Sequence, residues 1–368
     1  MRSVAQPKFV TFTAVVAAVA LAGALGFAQA PAAPAGGAQG QGRQGGAGPG
    51  RQGGAPARQG GAPAADTVTT ALVQGSVYLA TAGGFNAAFQ VGPDGVLVVD
   101  TLPAQYADAF VAAIRRISNG PIRFIFNTHW HTDHTGGNTV VGEAGESVIA
   151  GNFAGQAGGQ AARAYIWSHE NALLRISRLD GTPNAIPVSA WPTDVYFSER
   201  RELHFNGEPV AMLHIPNAHT DGDSFVYFRK SDVIVAGDVY QNVAFPMIVT
   251  QEGGSIQGTV NALATLIELT VPLKNQEGGT MVIPGRGRLG DEADVVEFYD
   301  MAVIIRDRVA DAIKRGQTLA QIKAARLALD YEGRYGATTG AWTTDQFIEA
   351  VYNTLRQPPV GMPATQNR

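Results

Sequence analysis

The segment from residue 127 to residue 137 reads Asn127-Thr128-His129-Trp130-His131-Thr132-Asp133-His134-Thr135-Gly136-Gly137. It places three of the chain's seven histidines and one carboxylate within six residues, directly after a short apolar run. In an extended chain His129 and His131 point to the same side, because side chains alternate between faces, and both can bind one ion. Asp133 and His134 follow where the chain begins to turn, so their side chains face a point next to the ion position shared by His129 and His131. Imidazole and carboxylate suit Zn²⁺ and related metals, so the segment predicts a metal site.

Four further segments place a chemically active residue at or just beyond an apolar run. In chain order they are Val96–Asp100, Asn217–Asp223, Val233–Asp238 and Val282–Gly287. Together with the histidine cluster, their order resembles the metallo-β-lactamase superfamily of metal-dependent hydrolases over roughly residues 67–290. That family ends the series in Pro-Gly-His-Gly, whereas this chain has Arg286 in place of the histidine.

The resemblance implies an α/β (α+β) fold of the αββα sandwich type, with two mixed sheets and helices outside. It also implies a first metal site of His129, His131 and His219 with a water molecule in the fourth position, and Zn²⁺ lowers the pKa of such a water to about 7. Zn²⁺ is the expected ion, with Fe or Mn as alternatives. Asp133 would orient the water or take its proton.

The resemblance assigns a second metal position to Asp133, His134 and Asp238, with Asp238 as the bridging carboxylate. Asp100 has two interpretations. It accepts the second N–H of a ligating imidazole, or it initiates a turn before Thr101. Asn86 lies in a loop that the resemblance places near the site, with no role assigned.

Arg286 is the departure from the family pattern, because a guanidinium stays protonated and cannot bind a metal cation. Formal charges balance for one Zn²⁺ with hydroxide, Arg286, Asp133 and Asp238, whereas a second Zn²⁺ leaves excess positive charge. Arg286 then either binds an anionic group of the substrate or clamps Asp133. A second metal held by Asp133, His134, Asp238 and water stays an alternative.

The N-terminal part of the chain is predicted to lie outside the folded domain. Residues 1–28 have the basic start, apolar stretch and small residues of a signal peptide, with a transmembrane helix as the alternative. Residues 29–66 contain Arg-Gln-Gly-Gly repeats and little apolar bulk, which predicts a disordered linker. We expect the metallo-β-lactamase-type domain to span residues 67–358, a disordered tail at residues 359–368, and a periplasmic or secreted protein.

The amino-acid composition excludes several classes of cross-link, ligand and partner. The chain has no cysteine, which excludes disulfides, thiolate ligands and a lipoprotein anchor. Acidic residues exceed basic ones, which argues against a nucleic-acid partner. We expect a small-molecule substrate and no stable membrane anchor, and the sequence leaves the oligomeric state open. The Gly-rich segment 142–162 is interpreted as a surface insertion, with a flap over the site as the alternative.

Three functions fit these observations. The first is an exported metal-dependent hydrolase that acts on an ester, amide or thioester-like bond. The second is a β-lactamase of the subclass that uses His where others use Cys, although no lysine near the motifs would hold a lactam carboxylate. The third is a binding protein that keeps the fold without catalysis. The histidines outside the motifs have structural interpretations, His204 and His214 as packing residues and His169 as part of a helix-capping network.

Overall fold

The computed structural model describes residues 67–147, 163–178, 186–275 and 278–357. The predicted signal peptide, linker and C-terminal tail lie outside these ranges, as does most of the Gly-rich segment, so those assignments stay predictions. Within the described ranges, no helix has the length and apolar character needed to cross a membrane.

The first sheet contains seven strands that lie side by side in chain order. They are β1 (Thr69–Gln74), β2 (Val77–Ala82), β3 (Phe85–Gly92), β4 (Gly95–Val99), β5 (Ile122–Phe126), β6 (Tyr165–His169) and β7 (Asp194–Tyr196). Strands β1 to β4 pair antiparallel, whereas β4 to β7 pair parallel. Parallel neighbours require crossover connections, and helices supply them between β4 and β5 and between β5 and β6.

The second sheet has the strand order β12-β11-β10-β9-β8. Its members are β8 (Arg200–Phe205), β9 (Glu208–Ile215), β10 (Asp223–Phe228), β11 (Val233–Gly237) and β12 (Met281–Pro284). All neighbours pair antiparallel except β11 and β12, which are parallel. Both sheets are therefore mixed, as predicted.

Helices cover the outer faces of both sheets. They are α1 (Ala107–Ile117), α2 (Thr132–Thr135), α3 (Asn138–Glu143), α4 (Glu170–Ser177), α5 (Ile256–Leu269), α6 (Glu292–Lys314), α7 (Leu319–Ala324), α8 (Leu329–Tyr335) and α9 (Thr344–Arg356). One apolar cluster joins α1 and α3 to the first sheet, and another joins α5, α6, α8 and α9 to the second. A third cluster lies between the sheets.

Strand β4 shows how the sequence produces these layers. Val96 and Val98 pack against the outer helices, while Leu97 and Val99 point into the space between the sheets. This division follows from the period-two alternation of a strand, which here is apolar on both faces because both are buried. The predicted αββα sandwich is confirmed.

The structure corrects several details of the sequence prediction. Strand β7 and the short helices α2 and α3 were not predicted, because each is too short to show a clear apolar period. Helix α7 ends at Ala324, because Arg326 takes a left-handed backbone conformation with φ of 49°. His204 is exposed on the edge strand β8 rather than packed.

Candidate metal centre

The motif residues meet because their strands end at one edge of the sandwich. Strands β4 and β5 are parallel neighbours, so Asp100 and Asn127 follow them side by side. In the second sheet β11 and β12 have the same relation, which brings Asp238 beside Gly285. A hydrogen bond from the Ser224 amide to the Thr128 carbonyl, 2.7 Å long, ties the two edges together.

His129, His131 and His219 bring three ring nitrogens to one point. The Nδ1 atom of His131 lies 3.1 Å from Nε2 of His129 and 3.0 Å from Nε2 of His219. All three side chains offer one nitrogen within reach of a common ion. We call these residues the imidazole tripod.

Outer hydrogen bonds fix which nitrogen of each ring faces the tripod. The Nδ1–H of His219 donates to the Met247 carbonyl at 2.7 Å, and Nε2–H of His131 donates to Glu252 at 2.8 Å. Nδ1 of His129 lies 3.2 Å from the Thr128 hydroxyl, whose own proton goes to Asp100. The inward nitrogens therefore carry lone pairs, as metal-ligating imidazoles do.

Burial keeps two of these rings neutral. Burial lowers the pKa of His129 well below its ordinary value, and the neighbouring histidines lower it further. Burial also lowers the pKa of His219 to about 4, although the Asp238 carboxylate opposes the shift. A neutral imidazole is the form that binds a metal, so these two ligands are ready at neutral pH.

The donor set fits one metal ion. Nitrogens about 2.0–2.1 Å from a tetrahedral Zn²⁺ lie about 3.3 Å apart, close to the spacing in the tripod. Three lone pairs aimed at one another repel unless a positive charge lies between them. The tripod groups three protein ligands rather than four, which is the pattern of catalytic rather than structural zinc.

The other half of the centre has a different composition. His134 lies between two carboxylates, with Nδ1 2.7 Å from Asp100 and Nε2 3.1 Å from Asp238. Asp133 approaches the same Nε2 atom to 3.5 Å. The geometry also groups His129, His134 and Asp238 as ligands that could share an ion. We call Asp133, His134 and Asp238 the carboxylate half.

The histidine pKa shift in the carboxylate half is opposite in direction to the shifts in the tripod. Burial acts to lower the pKa of His134, but the carboxylates of Asp238 and Asp100 outweigh it and raise that pKa well above its ordinary value. Burial acts to raise the pKa of Asp238, but His134 outweighs it and holds that pKa well below its ordinary value. Without an ion, this arrangement favours the protonated form of His134 between the two carboxylates.

Arg286 adds a second cation to this half. Its Nη2 atom lies 2.5 Å from Oδ2 of Asp133 and 3.5 Å from Oδ2 of Asp238. The guanidinium also lies over the Phe85 ring, 4.6 Å from the centroid. Of the two roles that the sequence left open for Arg286, the contact with Asp133 is the one present in the structure.

Asn86 positions the segment that carries Arg286. Its Nδ2 atom donates to the carbonyls of Pro284 and Gly287 at 3.0 and 2.9 Å, and its backbone amide donates to Gly285. A Cβ atom on Gly285 would lie 2.0 Å from Oδ1 of Asp238, so only glycine lets the chain pass this close. The first sheet thus holds the Arg286 loop against the second.

The structure brings all the predicted site residues together and adds Glu252. The contact of Asp100 with the His134 ring is the first of its two interpretations, and its side chain also accepts from the backbone and hydroxyl of Thr128. Glu252 accepts from His131 and from Nε1 of Trp130. It lies on a short 3₁₀ turn at Thr250–Glu252, outside the motifs, and no local pattern in the sequence indicates its role.

Solved structures similar to this chain include a metallo-beta-lactamase from Pontibacter korlensis (14% identity, TM-score 0.47, 64% of this chain and 99% of that one). The DIM-1 metallo-beta-lactamase is similar at 16% identity and TM-score 0.46, over 64% of this chain and 97% of that one. A double mutant of the sec-alkyl sulfatase PisA1 is similar at 15% identity and TM-score 0.54, over 82% of this chain and 52% of that one.

No curated protein matches the chain in sequence. The family profile described as the Metallo-beta-lactamase superfamily matches residues 80–271, more than half of the chain. That range includes the imidazole tripod and the carboxylate half, and Arg286 lies beyond it. The chain belongs to the metallo-β-lactamase superfamily.

Proposed function

We propose that this protein is a metal-dependent hydrolase that adds water across an ester, amide or thioester-like bond. The observation that carries the proposal is the convergence of three inward nitrogens of His129, His131 and His219, spaced 3.0–3.1 Å along the tripod. When bound there, a divalent ion supplies Lewis acidity and makes water acidic enough to react near neutral pH.

Asp133 is the group best placed to handle the proton. Its side chain is about a fifth exposed, so it borders both the buried centre and solvent. Arg286 engages its Oδ2 atom and fixes the direction of the carboxylate. The Oδ1 atom would then orient the attacking water and accept its proton, which is general-base catalysis by a positioned carboxylate.

The same proposal assigns one ion to each chain. The guanidinium of Arg286 contacts Asp133 and Asp238, two of the three residues that would hold a second ion. His134 bridges Asp100 and Asp238, so both of its ring nitrogens already contact carboxylates in this arrangement. Zn²⁺ is the ion that the nitrogen donors favour, with iron or manganese as the alternatives.

We further propose that the protein is exported, on the strength of the signal-peptide pattern in residues 1–28. Sequencing the N-terminus of protein from the cell envelope tests this step. A new N-terminus near Gln29 supports it. A chain that retains Met1 and fractionates with membrane favours the alternative of an N-terminal anchor.

The activity is tested with purified protein whose metal content is measured by plasma mass spectrometry. The substrate panel includes chromogenic esters, a thioester, a cephalosporin and a secondary alkyl sulfate, the class named for PisA1. Turnover that disappears with a chelator and returns with Zn²⁺ supports a hydrolase. Turnover confined to the cephalosporin supports the β-lactamase alternative, and bound metal without turnover of any substrate supports the non-catalytic one.

A further inference from the structure

A cleft of about 400 Å³ opens beside Asp133, and none of the tripod residues line it. Its volume falls within the range of pockets that hold small organic ligands, roughly 300–1,000 Å³. Asp133 lines the cleft, and its Oδ2 atom lies 3.5 Å from Nε2 of His134, so the cleft borders the metal centre.

The walls of the cleft are mostly apolar. The apolar lining consists of Phe85, Pro103, Ala104, Ile186, Pro187 and Ala190. Besides Asp133, the polar lining consists of Gln105 and the hydroxyl residues Thr132, Thr135 and Thr139, all uncharged. Such walls bind apolar groups and orient them with a few neutral hydrogen bonds.

The charge on the described lining of the cleft is of one sign, negative. Among the described lining residues Asp133 alone is charged, and no lysine or arginine is present. Arg286, whose Nη2 atom contacts Asp133 and Asp238, is the cation beside Asp133, and it does not line the cleft. A substrate carboxylate in the cleft would therefore meet a carboxylate without a cation of its own, which costs binding energy.

We infer that the substrate presents an uncharged, largely apolar group to this cleft, and that carboxylate-bearing acyl groups are rejected. The inference takes the reaction from the proposed hydrolase function. The preference for an uncharged substrate group is argued from the lining of the cleft. It also disfavours a substrate whose recognition depends on an anion beside the scissile bond.

The first experiment compares two esters that differ by one charge. Wild-type protein loaded with Zn²⁺ is assayed with 4-nitrophenyl butyrate and 4-nitrophenyl hemisuccinate. We expect kcat/KM to be at least about tenfold higher for the butyrate. Equal or better turnover of the hemisuccinate would overturn the inference.

Two variants test whether the cleft makes the selection. Ala104→Trp fills the cleft from an exposed position, and Ala71→Trp makes the same change at an exposed site on β1, outside the cleft. We expect the first to lower kcat/KM for the butyrate by about tenfold and the control to leave it unchanged, with the same metal content. Gln105→Lys should raise kcat/KM for the hemisuccinate ester, and so reduce the preference for the butyrate ester, because it adds a cation to the cleft.

A binding measurement separates this inference from the proposed reaction. Saturation-transfer NMR is run with hexanamide and with its carboxylate-bearing counterpart adipamate on wild-type and Ala104→Trp protein. Binding of hexanamide alone, lost in Ala104→Trp, supports the cleft assignment even if no ester is hydrolysed. Ester hydrolysis with no preference for uncharged groups, and equal binding of both amides, refutes the cleft assignment while the hydrolase function stands.

Discussion

The imidazole tripod and the carboxylate half lie against each other, with the His129 and His134 rings 4.3 Å apart between centroids. The pKa values of their histidines are nevertheless shifted in opposite directions. In the tripod, burial lowers the pKa of His129 and His219, so neutral nitrogens face inward. In the carboxylate half, the carboxylates of Asp238 and Asp100 outweigh the effect of burial and raise the pKa of His134 well above its ordinary value.

The contrast shows that residue type alone does not determine the role of a histidine. His129 and His134 are five positions apart and both are buried, and only the partners of their rings differ. A ring bonded to a hydroxyl, with histidines as its other neighbours, stays neutral and can bind a metal. A ring between two carboxylates has a raised pKa, so its protonated form is favoured. The tripod therefore favours binding of a metal cation, whereas the carboxylate half already contains the Arg286 guanidinium beside Asp133 and Asp238.

The largest effect should follow from breaking the tripod. His131→Ala removes the nitrogen that lies closest to both others, so we expect nearly all tightly bound metal and all hydrolysis to be lost. Far-UV circular dichroism should stay the same, because the His131 side chain lies outside the apolar clusters. His204→Ala, an exposed histidine on β8, is the matched control. Metal content at the wild-type level in His131→Ala would remove the tripod from consideration.

The second prediction concerns metal stoichiometry in the carboxylate half. Wild-type protein should hold close to one ion per chain, and Arg286→His should raise this toward two. The substitution removes a fixed cation and adds a nitrogen donor beside Asp133 and Asp238. Arg288→His, on an exposed side chain two residues away, should leave the count at one. Two tightly bound ions in the wild type would contradict the idea that Arg286 takes the second position.

A smaller change, in metal affinity, is expected from substituting Glu252, which accepts a hydrogen bond from His131 of the tripod. Glu252→Gln keeps the size of the side chain but removes the charge that accepts from His131. We expect metal affinity to fall by about 10–100-fold, as for other partners of metal-binding histidines, with stoichiometry restored at high metal concentration. Competition with a chromogenic chelator measures the affinity. Glu297→Gln, at an exposed ion pair with Arg334, should have no effect, and an unchanged affinity in Glu252→Gln would assign Glu252 a purely structural role.

The smallest effect tests burial of imidazoles away from the metal. His169 and His214 stack with ring centroids 3.6 Å apart. Burial and then the charge of His214 lower the pKa of His169 to about 3. Burial also lowers the pKa of His214, although its bond to the Asp223 carbonyl and the Asp221 charge oppose the shift.

Because the folded protein disfavours protonation of this pair, the pair's contribution to stability is complete above the ordinary pKa of about 6.5. It falls as pH drops below that value and is gone once pH passes the lowered pKa values of the folded state. Urea unfolding with chelator present should show a drop between pH 7.5 and 5.5. His214→Phe should reduce that drop by about 0.5–1 kcal/mol. A drop as large as in the wild type would show that the pair does not titrate on unfolding.

The local parts of the site could be read from the sequence. The spacing of His129 and His131 and the ordered motifs ending at Asp100 and Asp238 indicated which residues meet and which fold brings them together. The partners of those residues could not be predicted in the same way. Glu252 lies 121 positions from His131, and Arg286 lies 153 positions from Asp133. No periodic pattern links residues so far apart.

The sequence by itself indicated the sandwich through the order of its motifs, which resembles that of the metallo-β-lactamase superfamily, and through strands such as β4 that are apolar on both faces. It also determined the ligand types and their order along the chain. Only the tertiary structure decided which carboxylates raise the pKa of His134, the position of the Arg286 guanidinium and the mostly apolar lining of the cleft. The reason is that protonation and charge pairing depend on distances of a few ångströms between separate loops, and those distances exist only after the two sheets have packed.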